Sequence, residues 1–106
     1  MQISTIQIEV PDLNDSFSRI SLLGRVYYLR FTWSDTASRW LFGLFDDKRE
    51  PIYQGVKLVP NYPVNLITGT DNGPDGIFYA KCDAEAIGRS DFLTGKATFH
   101  FSYGER

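Results

Sequence analysis

The chain has 106 residues, 42% hydrophobic and 23% charged, which is the composition and length of one folded domain (expected over residues 1–106) with nothing left for a second. Its 11 basic residues are outnumbered by 13 acidic ones, for a formal charge of −2, and that balance argues against a general nucleic-acid binder. A single His and a single Cys exclude a zinc site of the usual kind and an internal disulfide.

The N-terminal residues Met1–Ile6 have neither a basic start nor an apolar run, so they do not read as a secretory signal. From Ile3 to Val10, Ile6, Ile8 and Val10 alternate with Thr5, Gln7 and Glu9, the period of a strand. Pro11–Asp15 has turn chemistry, and Phe17–Leu23 reads as a second strand. Gly24-Arg25 reverses the chain into Val26–Trp33, where Tyr27, Leu29, Phe31 and Trp33 oppose Val26, Tyr28, Arg30 and Thr32. Large aromatic and branched side chains suit such a pleated surface. A polar turn at Ser34–Ser38 leads to Arg39–Asp46, with Trp40, Phe42 and Leu44 opposite Leu41, Gly43 and Phe45, so the two Trp residues sit near the loop end of a hairpin.

Ile52–Val59 reads as a fifth strand, ended by Pro60 and Pro63 because proline cannot donate to a ladder. Val64–Ile67 fits a short strand or an extended loop, and Thr68–Gly76 a long glycine-rich loop. Gly76–Cys82 and Ala97–Tyr103 complete the strands. Asp83–Ile87 has the N-cap and helix formers for one helical turn. The expectation is an all-β fold: a small antiparallel β-barrel or sandwich of seven to eight short strands with at most one helical turn. Several strands are apolar on both faces, which either sheet curvature and overlying loops or burial by a partner would explain.

Chemical motifs fare poorly. Asp71–Gly76 has the first Asp, fifth-position Asp and sixth-position Gly of a calcium loop, but Gly73 stands at position three and Cys82 at position twelve. Gly95-Lys96-Ala97 lacks the upstream glycine and the following helix of a phosphate loop. His100 is the only imidazole, so any Ser-His-Asp or Cys-His chemistry must use it, with a serine or Cys82; a structural His and a buried filler Cys are the better readings. No cofactor or metal is expected. A base-stacking β-barrel binding single-stranded nucleic acid is the alternative function, weakened by basic residues that are scattered among acids. No stretch nears the ~18 apolar residues of a membrane helix, and Cys82 suits a reducing interior, so a soluble, intracellularly made protein is expected.

The stretch Tyr28-Leu29-Arg30-Phe31-Thr32-Trp33, a polar turn, then Arg39-Trp40-Leu41-Phe42-Gly43-Leu44-Phe45-Asp46 resembles the central hairpin of the baseplate plug proteins of contractile-tailed bacteriophages. The Ile-rich start, the segment Gly55 to Pro60 (Gly-x-x-Leu-x-Pro) and the stretches Gly76–Tyr79 and Gly88–Phe92 follow in the same order, so the similarity covers nearly the whole chain. The resemblance implies a virion structural protein of the tail baseplate without catalysis, made in the host cytoplasm. It would be present in multiple copies and contact hub, tail tube or sheath-initiator proteins to hold the tip closed. No catalytic, cofactor or metal residues carry over. Interfaces draw on aromatic and arginine anchors, and Trp33, Trp40, Tyr53 and Arg89 are the candidates, with core packing the rival role of each Trp. The 8 Phe, 6 Tyr and 2 Trp exceed what one small core needs, which leaves part of the aromatic surface for other subunits.

Overall fold

The structure is a computed structural model in which residues 2–64 and 74–105 are described. Among the described residues the period-two segments form seven strands: β1 (Gln2–Ile8), β2 (Asp15–Leu22), β3 (Arg25–Ser34), β4 (Arg39–Phe45), β5 (Pro51–Lys57), β6 (Ile77–Cys82) and β7 (Ala97–Glu105). They pair antiparallel in two sheets, a smaller one ordered β1-β7-β6 and a larger one ordered β2-β3-β4-β5. The sheets stack as a sandwich rather than closing as a barrel. Aromatic rings bridge them: Phe31 of β3 meets Phe99 of β7 edge-on at 5.1 Å between centroids, and Phe42 of β4 lies 5.0 Å from Phe99 and 5.4 Å from Phe78 of β6.

Alternation decides which residues enter this core. Tyr27, Leu29 and Phe31 of β3, and Trp40, Phe42 and Leu44 of β4, are buried, as are Phe78, Ala80 and Cys82 of β6 and Phe99 and Phe101 of β7. The strands are thus where period two places them, with ends displaced by a residue or two. The candidate helical turn at Asp83–Ile87 is instead a run of bends. Ile87 is drawn into the core, and the Gly88 N–H donates to the Asp91 carboxylate at 2.7 Å. Helical geometry appears one step later, in α1 (Asp91–Thr94), which ends at Gly95 with φ 85°. That left-handed C-terminal position suits glycine because it has no Cβ to crowd the carbonyl. The segments expected at Val64–Ile67 and Thr68–Gly76 fall mostly outside the described residues.

The β2–β3 reversal is a tight one. Leu22 pairs with Arg25, and the two residues between them have φ 53° (Leu23) and 79° (Gly24), the signature of a type I′ turn. Leu23 is an exposed residue held in a region that costs a branched side chain about 1 kcal/mol. Leu23→Asn should therefore raise the unfolding free energy by roughly 0.5–1 kcal/mol. Urea unfolding of the two proteins checks this, and an unchanged or lowered midpoint would show the turn strain to be absent.

Candidate protein-contact surface

Three of the four anchor candidates meet at one corner, where the β3–β4 hairpin folds against the chain after β1 and the chain before β7. Trp33 and Trp40 are cross-strand partners with rings edge-to-face at 5.5 Å. Trp40 is only 1% exposed; its indole N–H donates to the Gly88 carbonyl at 3.1 Å, and Phe92 of α1 packs on it at 5.7 Å. The Arg89 guanidinium lies 5.3 Å above the Trp40 ring and is aimed by Asn14 at 2.7 Å and Asp12 at 2.9 Å. Trp33 is half-buried, its indole N–H donating to Asp35 at 2.8 Å. So Trp40 serves the core and cannot reach a partner while the domain stays folded, whereas Trp33 and Arg89 remain partly open to solvent. The Arg89–Asp12 pair is a surface contact with Asp12 half exposed, worth at most about 1 kcal/mol.

Tyr53 lies elsewhere. It is buried in β5 behind Phe42, 6.1 Å between ring centroids. Its hydroxyl is buried with no hydrogen-bond partner among the described residues, and burial pushes the phenol well above its ordinary value. A buried hydroxyl without a partner costs about 1–3 kcal/mol. Tyr53→Phe should thus match or exceed the wild-type stability at neutral pH. Because the folded value is the raised one, the stability tied to this group is intact below the unfolded phenol's pKa of about 10 and declines as pH rises beyond it. The variant should lose that share of the alkaline decline; unfolding at neutral and alkaline pH measures both parts, and a destabilised variant would mean that the hydroxyl has a partner.

A second aromatic group was not singled out in the sequence. On the outer face of the larger sheet, Phe17 of β2 stacks on Tyr28 of β3 at 5.2 Å and meets Phe45 of β4 edge-on at 5.1 Å. Arg49, from the β4–β5 turn, sits 5.1 Å over Tyr28. Next in register, Arg30 faces Phe17 across the strands and holds Asp15 through two nitrogens at 2.9 and 2.8 Å. This hydrogen bonding holds the Asp15 carboxyl below its ordinary value. Phe17 remains 45% exposed, so an aromatic cluster with an arginine lid faces solvent. The signal was present in the alternation, since Tyr28 and Phe45 both oppose core-facing neighbours. The approach of Arg49, by contrast, depends on the turn.

The smaller sheet presents a polar outer face. Thr5, Ser102 and Tyr79 form a hydroxyl chain at 2.8 and 3.2 Å. His100 stacks on Tyr79 at 5.3 Å and shares a 2.7 Å hydrogen bond with Thr98. Burial, then the charge of Lys81, lowers the imidazole's pKa. Cys82 is on the opposite, core-facing side of this sheet, so the two are not a nucleophile–base pair. An open cleft of about 550 Å³ runs beside α1, between Gln7–Val10 and Ala97–Phe99. Among the described residues no three His, Cys, Asp or Glu side chains gather where they could hold a metal ion, and no helix is long and apolar enough to cross a membrane.

The fold and surface define a small β-sandwich whose larger sheet gathers aromatic and arginine side chains on its outer face. The family described as cyanophage baseplate Pam3 plug gp18 matches residues 3–105, and the chain belongs to this family of phage baseplate plug proteins. A stretch of 87 residues is also 32% identical to the neuronal acetylcholine receptor subunit alpha-9-I of Oncorhynchus mykiss, covering 82% of this chain but 13% of that subunit. The likeness is to one segment of a far longer chain.

Proposed function

We propose that this protein plugs the tail tip through protein–protein contacts alone, without catalysis, helping to assemble the baseplate and to hold it closed against neighbouring hub, tube or sheath-initiating subunits. The observation that carries the reading is the solvent-facing Phe17, stacked on Tyr28 beside Arg49 and backed by the buried Phe45. Exposed aromatic and arginine side chains on a rigid sheet are the usual centres of binding energy. Trp33 and Arg89 are the contact residues at the neighbouring corner, and Trp40 and Tyr53 support these surfaces from inside. The test supplies variant plug to phage lacking it and measures the plug content of purified tails. Phe17→Ser should lower incorporation at least about tenfold, the equivalent of 1.4 kcal/mol, with the melting curve of the isolated domain little changed; full incorporation would sink the proposal.

The same face favours a second reading, because Arg19, Arg30 and Arg49 interleave with Phe17 and Tyr28 as in surfaces that stack bases. Micromolar, salt-dependent binding of a single-stranded oligonucleotide, lost in Phe17→Ser, would replace the plug reading with that one.

A further inference from the structure

The sandwich treats its sheet edges unequally. β5 begins at Pro51, carries Lys57, and is broken in register against β4 near Gly55, whose φ is 68°. β2 carries Asp15 and Arg19. The outer side of β6 is met by Pro60, which bridges to Ala80, and by Asn61, which bonds the Ala80 carbonyl and both polar backbone groups of Cys82. Charges, prolines, bulges and covering chain are the devices by which proteins keep an edge from pairing with another strand. Among the described residues β1 has none of them. It reads Gln-Ile-Ser-Thr-Ile-Gln-Ile, without charge or proline. Its pairing with β7 runs unbroken from Gln2↔Glu105 to Ile8↔Phe99. Among the described residues nothing pairs with its other side. Ile3 and Ile6, on opposite faces of the strand, are 68% and 37% exposed.

We infer that β1 pairs antiparallel with β1 of a second copy of this chain, about a two-fold axis through Thr5, joining the smaller sheets into one continuous sheet. The occupant follows from the strand itself. A two-fold axis perpendicular to the sheet keeps core face beside core face, and to do so it must pass through a residue position, because side chains alternate. Centred on Thr5 it engages the whole of β1, Gln2 to Ile8; centred on Ser4 or Ile6 it leaves two residues of β1 without a partner. In the Thr5 register Ser4 meets Ile6 and Gln2 meets Ile8 on the core side, while Ile3 meets Gln7 and Thr5 meets its own copy outside. The two Ile6 side chains become diagonal neighbours, within reach of each other. With no charged residue in β1, no like charges come together, so the strand is electrically compatible with itself. Strand addition also satisfies the open edge's backbone groups, the source of affinity in this mode of recognition. This inference stands apart from the plug reading, since it concerns the isolated chain.

Sedimentation of the isolated chain across the micromolar range tests it. The wild type should show a monomer–dimer equilibrium. Thr5→Lys and Thr5→Glu each place like charges on the axis and should raise the dissociation constant at least about tenfold, and mixing the two should restore dimers. Oxidation of Thr5→Cys should give covalent dimers readily, because residues facing each other on the axis are within disulfide reach, while Ile3→Cys, facing Gln7 of the other copy, should give few. A wild type monomeric throughout, a dimer indifferent to charge at Thr5, or readier crosslinking through Ile3→Cys than through Thr5→Cys would each overturn the inference.

Discussion

Phe42→Ala should lower the unfolding free energy by about 3–5 kcal/mol. That is a large share of a domain's total stability, typically about 5–15 kcal/mol. The reason is position. Phe42 is fully buried and is the ring at which four others converge: Phe31 at 5.2 Å, Tyr53 at 6.1 Å, Phe78 at 5.4 Å and Phe99 at 5.0 Å. Those partners come from both sheets, so the cavity cannot close by moving one element; two packed layers would have to approach each other. Phe42→Leu keeps much of the volume and should cost far less. Thermal and urea unfolding decide the matter: the Ala variant should unfold tens of degrees lower, at about 4–8 °C per kcal/mol. A loss under about 1.5 kcal/mol would mean that the sandwich can collapse around the gap.

Gly76→Ala should cost about 2 kcal/mol or more, for a different reason. A Cβ on Gly76 would lie 2.5 Å from the Phe101 ring and 2.6 Å from the Ser102 carbonyl oxygen. The ring can yield only into a filled core, and the oxygen belongs to the backbone of β7, the middle strand of its sheet. Forced overpacking of this kind costs about 1–3 kcal/mol and more where backbone must shift. Gly24→Ala is the useful contrast: nothing lies within 4 Å of a Cβ there, and the penalty is the positive φ of 79° alone, about 1 kcal/mol. Equilibrium unfolding of both variants should rank Gly76→Ala as the more harmful. The reverse order would show that the entry to β6 adjusts freely.

The strands were legible because each repeats one simple signal. Tyr27, Leu29 and Phe31 against Tyr28 and Arg30, or Trp40, Phe42 and Leu44 against Leu41 and Gly43, state which side is buried without reference to any other strand. The helical turn was misplaced because one turn has little propensity of its own. Packing of Ile87 and the Gly88–Asp91 hydrogen bond outweighed the formers at Ala84, Glu85 and Ala86. The candidate surface was half legible. Trp33, Trp40 and Arg89 do converge, but Trp40 and Tyr53 are used inside, and the exposed Phe17 was passed over because its strand carries the weakest alternation. Alternation separates two faces of a strand; it does not say which outward aromatic finds a cover within the same chain.

Sequence alone determined that this chain folds as all-β strands around a large aromatic core. Those properties are local or additive: a count of residues, or a period along a few of them. The tertiary structure decided the rest. It chose sandwich over barrel, put Tyr53 behind Phe42 and Phe17 in the open, laid Arg49 over Tyr28 and Arg89 over Trp40, and left β1 as the unguarded edge. Each of these depends on which distant strands pair and in what register. That choice is made by the summed burial and hydrogen bonding of the whole sheet, and no single segment of the chain contains it.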